Sequence, residues 1–260
     1  MPFSVLTTRV LLTTLRRGLG RLVLERGELS SEGVEELEQA VAAVDPSRPL
    51  VLQRESDAEK TVRVHVGASA SGRVIRIVPD GFGAHIAGAS SAVIRPVRGA
   101  NALGAVYGAA LGAAEVFKHT ASVTSGRRVL HRHLTFCPVT LSPDLRVAPD
   151  LPGSLRLELA LIGVGAIGTG IALALGELPL EGAILAVDPQ RFDRENLGTY
   201  SIGTAADVDD RPFKVELASR VLPQFDVREY PRPVDAVFAE VDAGTLPWFP
   251  LVLTALDSPE

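Results

Sequence analysis

Residues 157–168 read Leu-Glu-Leu-Ala-Leu-Ile-Gly-Val-Gly-Ala-Ile-Gly, a short apolar run that leads into the pattern G-x-G-x-x-G. The run Leu157–Ile162 predicts a buried strand, and the glycines predict a tight turn after it. The uncharged stretch that follows predicts a helix over residues 166–178, and Ala183–Val187 predicts a second strand that ends at Asp188. This order is typical of a βαβ unit, which indicates an α/β fold with parallel, Rossmann-like strands.

Each glycine of the turn has a physical role in nucleotide binding. Gly163 permits the tight turn, Gly165 lets a nucleotide approach the backbone, and Gly168 allows the helix to pack on the strand. The N-terminus of that helix presents free N–H groups and a partial positive charge to a phosphate. Asp188 lies where a carboxylate can accept hydrogen bonds from ribose hydroxyls. The pattern predicts a nucleotide site; the alternative is a glycine-rich turn with a structural role alone.

The segment after the second strand narrows the class of nucleotide site. Residues 188–200 read Asp-Pro-Gln-Arg-Phe-Asp-Arg-Glu-Asn-Leu-Gly-Thr-Tyr, and a predicted helix opens further on at Lys214. Together with the glycine turn, this spacing resembles the ThiF/MoeB/HesA family of ubiquitin-activating-enzyme-like adenylyltransferases. The matching elements are the loop Gly163–Gly168, the acid Asp188, the pair Asn196-Leu197, the helix-opening Lys214, and Asp257 after the apolar strand predicted at 251–256.

The resemblance implies an ATP-dependent enzyme. A member of this family adenylates the C-terminal glycine carboxylate of a ubiquitin-like or sulfur-carrier protein and releases pyrophosphate. By the same resemblance, Lys214 is the catalytic cation at the phosphates, Asp188 and Asn196 bind the ribose, and Asp257 holds Mg²⁺. Charge neutralisation and orientation are what such a transfer requires of a protein. The structural alternatives are a surface lysine at a helix start and an aspartate that caps a turn.

The chain departs from the family pattern at Thr199, which stands where the family has arginine. Threonine lacks the cationic fork that an arginine offers to a phosphate. Another arginine of the chain or of a second subunit in a homodimer would have to replace it, or adenylation would be weak. The candidates within the chain are Arg194, Arg211, Arg95 and Arg98. Family members also continue beyond the position of Asp257, so we expect a nucleotide fold that is incomplete at its C-terminus.

Two other functions remain open at this point. One is a catalytically inactive relative that binds a nucleotide or a protein, which the threonine at position 199 would favour. The other is an NAD(P)-dependent oxidoreductase, because the G-x-G-x-x-G turn also serves dinucleotides. ATP–pyrophosphate exchange with a carrier protein distinguishes adenylation from the inactive relative, and the nucleotide that the chain prefers distinguishes it from the oxidoreductase.

The first half predicts a smaller α/β domain. We expect domains at residues 1–150 and 151–260, because the segment before residue 150 is rich in proline, serine and aspartate. A helix is predicted with Ser30 or Ser31 as its N-cap and with an apolar stripe at helical spacing, Val34, Leu37, Val41 and Val44. Strands are predicted at 62–66, 74–79 and 130–137, a turn at Asp80-Gly81, and a glycine-striped helix over Asn101–Lys118 that packs on a sheet. This half resembles, at low specificity, the inactive Rossmann-like half of two-part activating enzymes. It has no G-x-G-x-x-G turn, so we predict no second nucleotide site there.

Composition excludes several classes of protein. With 46% hydrophobic residues and a net charge of −5 over 260 residues, the chain is neither disordered nor a general nucleic-acid binder. Its apolar runs are interrupted by arginines or glycines, which predicts a cytoplasmic protein without a membrane span. Only three of the 26 basic residues are lysines, and one of these is Lys214.

The single cysteine, Cys137, excludes an internal disulfide. It lies on the predicted strand with His131 and His133, and we interpret it as a small buried hydrophobic residue. A strand would place His131 and Cys137 about 20 Å apart, too far to share one zinc ion.

Overall fold

The computed structural model describes residues 3–18, 23–25, 29–48, 50–53, 62–68, 74–88, 94–125, 133–150 and 153–256. The chain divides by its internal contacts into two compact units, residues 1–151 and 152–260. Each unit contains helices, a four-stranded sheet and buried apolar clusters of its own. The predicted α/β class is therefore confirmed for both halves.

The first unit combines three helices with two sheets. Its elements are α1 (Phe3–Gly18), β1 (Val23–Glu25), α2 (Ser31–Val44), β2 (Val51–Gln53), β3 (Val64–Val66), β4 (Ile75–Asp80), β5 (Gly83–Ala87), α3 (Ala102–Ser125) and β6 (His133–Phe136). β1 and β2 form a parallel pair. The larger sheet has the order β3-β4-β5-β6, in which β3 is parallel to β4 and the other pairs are antiparallel.

Local chemistry explains where α2 begins and which side it buries. The Ser30 hydroxyl accepts a hydrogen bond from the Gly33 amide at 3.1 Å, which satisfies one of the free N–H groups of the first turn. The buried side of the helix consists of residues at helical spacing, Val34, Leu37, Val41 and Val44. Both the serine cap and the apolar stripe were predicted from the sequence.

The glycine stripe of α3 faces the larger sheet. A β-carbon at Gly104 would overlap the carbonyl oxygen of Gly81, and one at Gly112 would overlap the side chain of Ile77. The helix therefore approaches β4 and the turn after it more closely than any larger residue permits, which confirms the predicted packing on a sheet. It extends to Ser125, beyond the predicted end at Lys118, because no proline or glycine interrupts the intervening residues.

The larger sheet of the first unit differs from the parallel sheet of a Rossmann-like half. Asp80 and Gly83 are paired across a tight turn, and Gly81 in that turn has a φ of +58°, a conformation that favours glycine. The turn reverses the chain, so β5 returns antiparallel to β4. Asp80-Gly81 was predicted as a turn, whereas the short strand after it was not predicted.

The second unit is built on a parallel sheet. Its elements are β7 (Leu155–Ile162), α4 (Ala166–Gly176), β8 (Leu180–Val187), α5 (Ala205–Asp210), α6 (Lys214–Arg220), β9 (Phe225–Tyr230), α7 (Val234–Asp242) and β10 (Leu251–Thr254). The sheet order is β10-β7-β8-β9, and every pair is parallel. Counted along the chain from β7, the strands lie in the order 3-2-1-4, which is the beginning of the Rossmann order. The predicted Rossmann-like fold is confirmed.

Both faces of this sheet are covered by apolar side chains. Along β7, Leu159 and Leu161 belong to one cluster, and Ala160 and Ile162 belong to the other. The first cluster includes residues of α4 and α6, namely Ala172, Val215 and Ala218. The second includes Val237 of α7. Alternate residues of a strand face opposite sides, so a buried parallel strand shows a nearly continuous apolar run, as the sequence of β7 does.

The strand order reverses at β7, because β8 lies on one side of it and β10 on the other. In open α/β sheets, ligands bind in the crevice that such a reversal opens at the carboxyl ends of the strands. The glycine turn follows β7 at this point. Within the described ranges, no helix combines the length and apolarity that crossing a membrane requires.

Candidate functional site

The glycine turn is held at the end of β7 by backbone geometry. Gly163 has a φ of +89°, and its amide donates a hydrogen bond to the Val187 carbonyl at 2.8 Å. A β-carbon at Gly163 would lie 2.9 Å from the Ala255 carbonyl oxygen, just after β10. A β-carbon at Gly168 would overlap the carbonyl oxygen of Gly163. The first and third glycines therefore permit the turn and the close packing of α4 against it.

Gly165, the middle glycine, is the N-cap of α4, and its missing side chain leaves an open side. Among the residues that the structure describes, the one atom within 4 Å of a β-carbon built there is the Tyr200 hydroxyl oxygen, at 3.9 Å. α4 is an 11-residue helix that begins here, so its free first amides and the positive end of its dipole lie at this N-cap. The geometry fits an anion between the turn and Tyr200.

The Asp188 carboxylate connects the ends of β7 and β8. Its Oδ2 atom accepts a hydrogen bond from the Val164 amide at 2.8 Å, and its Oδ1 atom accepts one from the Gln190 amide at 2.8 Å. The residue is 7% exposed. Each oxygen keeps a second lone pair, so a ribose hydroxyl could still donate to it. Asp188 thus positions the glycine turn whether or not a nucleotide is bound.

Lys214 is buried, which excludes the alternative of a surface lysine. It opens α6 and is 4% exposed. Its amide donates to the Gln190 carbonyl at 3.0 Å, and its ammonium Nζ donates to Gln190 Oε1 at 2.5 Å. Nζ also lies 4.9 Å from the centroid of the Tyr200 ring. Within the described part of the chain, no carboxylate forms an ion pair with it.

Asn196 begins a short 3₁₀ helix, Asn196–Gly198. Its side-chain oxygen accepts a hydrogen bond from the Asp193 amide at 3.0 Å, so the oxygen stabilises the local turn. The side-chain amide nitrogen has no partner among the described residues and is available as a donor. Thr199 is exposed, and its hydroxyl lies 3.4 Å from the Asn196 carbonyl oxygen. Nothing in this contact substitutes for the cation of an arginine.

The four arginines that could replace the family's arginine at position 199 are divided between the two units. Arg98 is bound within the first unit to the Asp150 carboxylate at 2.6 Å and to the Arg146 carbonyl at 3.0 Å. Arg95 is exposed in the same unit. Arg194 and Arg211 are exposed residues of the second unit, on either side of Tyr200 along the chain. Asp257, the predicted Mg²⁺ ligand, lies outside the described residues.

Asp207 lies near the site in sequence and has a structural partner. Its carboxylate accepts hydrogen bonds from Thr204 at 2.7 Å and from Arg220 at 2.8 Å. Burial raises the pKa of this carboxyl, but the hydrogen bonds from Arg220 and Thr204 outweigh that effect and hold the pKa below its ordinary value. Asp207 therefore ties the start of α5 to the end of α6.

Two residues of the site were missed by sequence reasoning. Gln190 and Tyr200 both stand in the quoted segment 188–200, but neither was assigned a role. The signal that could have identified Tyr200 is an aromatic residue directly after the position where the family has arginine. Gln190 had no such signal, because its bond to Lys214 depends on how the chain returns from α5.

In the first unit, Cys137 is fully buried against Phe82, Leu145 and Ala148, as predicted for a small hydrophobic residue. The imidazole of His133 contacts the Thr135 hydroxyl at 3.2 Å, and His131 lies outside the described residues. Among the described residues of the whole chain, no three His, Cys, Asp or Glu side chains are grouped to hold a metal ion.

The second unit is thus a Rossmann-like α/β unit with a glycine turn at its switch point. Comparison with solved structures finds partial similarities to E. coli MccB crystallised with ATP, at 20% identity over 40% of this chain and 30% of MccB, with a TM-score of 0.33. MccB with AMPCPP and selenomethionine-labelled MccA gives the same identity and coverage and a TM-score of 0.32. TcdA (CsdL) is 21% identical over 39% of this chain and 41% of its own, with a TM-score of 0.29.

The chain therefore spans less than half the length of each of these proteins. No family model matches the chain, and no curated protein sequence matches it.

Proposed function

We infer that the second unit binds ATP and transfers its adenylyl group to the C-terminal carboxylate of a ubiquitin-like or sulfur-carrier protein. One observation carries this proposal, the buried ammonium of Lys214, which no carboxylate of the described residues neutralises. The ammonium lies over the ring of Tyr200, and the hydroxyl of that ring lies next to Gly165 of the glycine turn. The likeness of the sequence motifs to the ThiF/MoeB/HesA family supports the choice of reaction.

A buried and unpaired ammonium favours an anionic ligand. Removing a lysine from water is costly unless an opposite charge or good hydrogen bonds compensate, and here the neutral amide of Gln190 is its hydrogen-bond acceptor. A phosphate would add the missing negative charge. The N-terminus of α4 would bind the same anion through its free amides.

The ribose end of the nucleotide would contact Asp188 and Asn196. Asp188 would accept a hydrogen bond with the lone pairs that its backbone partners leave unused. Asn196 would donate with its side-chain nitrogen, because its oxygen is already bound to the Asp193 amide. The two side chains would thus take opposite hydrogen-bonding roles toward the sugar hydroxyls.

In the proposed reaction, a carboxylate oxygen of the carrier protein attacks the α-phosphorus of ATP. A new P–O bond forms, the bond from that phosphorus to the bridging oxygen breaks, and pyrophosphate leaves with the electron pair. No proton is transferred, so the protein's task is to orient the two anions and neutralise their charge. Lys214 and the α4 N-terminus would do so here. Mg²⁺, held in part by Asp257 on the family pattern, would add positive charge at the phosphates.

A second candidate function is nucleotide binding without adenylation. It is favoured by Thr199, whose hydroxyl donates to the Asn196 carbonyl and adds no positive charge at the site. An NAD(P)-dependent oxidoreductase would instead bind a dinucleotide in the same crevice.

Calorimetric titration of the full chain with ATP and, separately, with NAD tests the proposed ligand. We expect ATP to bind and NAD to bind more weakly. Lys214→Ala should weaken ATP binding at least about 10-fold, the effect of losing one charge-assisted contact. Arg228→Ala, which removes an exposed positive charge from β9, is the matched control and should bind as the wild type does. Tight NAD binding without ATP binding would exclude adenylation.

A further inference from the structure

Tyr200 is fixed against the first turns of α4 by its neighbours in the chain. Its own amide donates to the Asn196 carbonyl at 2.9 Å. The amide of Ser201 donates to the Thr169 hydroxyl of α4 at 3.2 Å, and that hydroxyl donates to the Ala166 carbonyl at 3.0 Å. The segment that carries Tyr200 is therefore attached to the same helix whose N-terminus opens toward the site.

The Tyr200 ring is held in one orientation from two sides. It meets Phe192 edge to face, with centroids 5.7 Å apart and planes at 70°, and the Lys214 ammonium lies 4.9 Å from its centroid. The residue is 6% exposed. A ring packed in this way presents its hydroxyl at a defined point, which is the open side of Gly165.

Among the described residues, none hydrogen bonds with the Tyr200 oxygen, although the residue is more than nine-tenths buried. The side chain as a whole is buried, and a tyrosine in such a place usually finds a hydrogen-bond partner for its hydroxyl. The Tyr200 hydroxyl thus lies beside the N-terminus of α4, 3.9 Å from a β-carbon built at the N-cap Gly165, and has no hydrogen-bond partner among the described residues.

We propose that the Tyr200 hydroxyl donates a hydrogen bond to a phosphate oxygen of the nucleotide held at the N-terminus of α4. This inference rests on the nucleotide binding proposed above and adds a binding residue to that site. The Lys214 ammonium over the ring face draws electron density from the phenol and so strengthens its O–H as a donor to an anion. Tyr200 would thereby take over part of the phosphate binding that Thr199, its exposed neighbour, does not provide.

Tyr200→Phe tests this role, because it removes the hydroxyl and keeps the ring that packs on Phe192 and Lys214. The full chain is titrated calorimetrically with ATP and with adenosine, which lacks phosphates. We expect the Kd for ATP to rise about 10- to 100-fold, the range for a hydrogen bond to a charged group, and the Kd for adenosine to stay within about twofold. Tyr230→Phe is the control; it removes from β9 a hydroxyl that donates to the Glu240 carboxylate of α7, and it should leave both constants unchanged.

Three results would overturn the proposal, and they differ in whether they also contradict the proposed function. If Tyr200→Phe binds ATP as tightly as the wild type, the hydroxyl is not a ligand, while the proposed function stands. If ATP and adenosine weaken equally, the effect comes from ring packing and the hydroxyl role is again excluded. If the wild type binds ATP no better than adenosine, the site holds no phosphate, and the proposed function fails with it.

Discussion

Lys214 and Gln190 are joined twice, by the backbone hydrogen bond from the Lys214 amide at 3.0 Å and by the side-chain hydrogen bond from its ammonium at 2.5 Å. The pair links the start of α6 to the residues that follow β8. A neutral partner holds the ammonium in place without cancelling its charge, so the charge remains available to a ligand.

Gln190→Glu should therefore weaken ATP binding without loss of stability. A carboxylate at this position would pair with Lys214 and compete with the phosphates, and we expect a Kd increase of about 10-fold or more. Calorimetric titration with ATP measures the change. Gln39→Glu adds the same charge at an exposed position of α2 and controls for the change in net charge. Equal ATP affinity in Gln190→Glu and the wild type would show that the charge of Lys214 does not contact the nucleotide.

Asp188→Asn should destabilise the second unit. An asparagine has one acceptor oxygen for the two amides of Val164 and Gln190, and its NH₂ group would face one of these donors. We expect a loss of about 1–3 kcal/mol in the free energy of unfolding. Far-ultraviolet circular dichroism during urea unfolding measures this loss. Asp226→Asn, at an exposed site on β9, is the control and should stay within about 0.5 kcal/mol of the wild type. An equally small effect for Asp188→Asn would show that its two hydrogen bonds do not stabilise the unit.

Two glycine variants of the turn separate effects on stability from effects on ATP binding. Gly168→Ala should destabilise the second unit, because its β-carbon would overlap the Gly163 carbonyl and backbone atoms cannot move aside easily. Gly165→Ala should fold normally, since its β-carbon meets nothing nearer than 3.9 Å among the described residues. It should nevertheless weaken ATP binding, because the methyl group fills the open side of the turn. Urea unfolding and ATP titration of both variants check this, and normal ATP affinity in a folded Gly165→Ala would place the phosphates elsewhere.

Ionisation of Asp207 should make the free energy of unfolding depend on pH. Its pKa is lowered in the folded chain, so its ionised form stabilises the fold above the unfolded pKa of about 3.9, and this contribution is lost as the pH falls through the folded value. Asp207→Asn should lower the free energy of unfolding by about 1–3 kcal/mol at pH 7, and the difference from the wild type should shrink below pH 4. Far-ultraviolet circular dichroism during urea unfolding at several pH values measures this difference. The control Asp209→Asn, exposed on α5, should show little difference at any pH, and a pH-independent deficit in Asp207→Asn would contradict the ion pair with Arg220.

The order of elements in the second unit could be predicted because it depends on local patterns. The apolar run of β7, the glycines of the turn and the acid at the end of β8 each follow from short-range chemistry, and their spacing already implies a parallel sheet. The relation of Tyr200 to Gly165 could not be predicted in this way. The two residues lie on segments that meet only after the sheet and α4 are assembled, and no periodicity marks that meeting.

In the first unit, too, only some elements could be predicted from the sequence. The buried stripe of α2 and the glycine stripe of α3 were predictable because both repeat at helical spacing. The antiparallel return of β5 was not, because Gly83–Ala87 is short and carries small residues rather than a strong alternation. Its buried position comes from packing under α3, which the sequence of the strand itself does not report.

ATP–pyrophosphate exchange measures adenylation by this protein most directly. The full chain is incubated with saturating ATP, Mg²⁺ and labelled pyrophosphate, together with ubiquitin-like and sulfur-carrier proteins that retain their C-terminal glycine. We predict exchange that requires the intact carrier C-terminus, is abolished in Lys214→Ala and is unchanged in Arg228→Ala. Absence of exchange with every carrier, in a wild-type chain shown to bind ATP, would contradict adenylation and leave a nucleotide-binding protein without this activity.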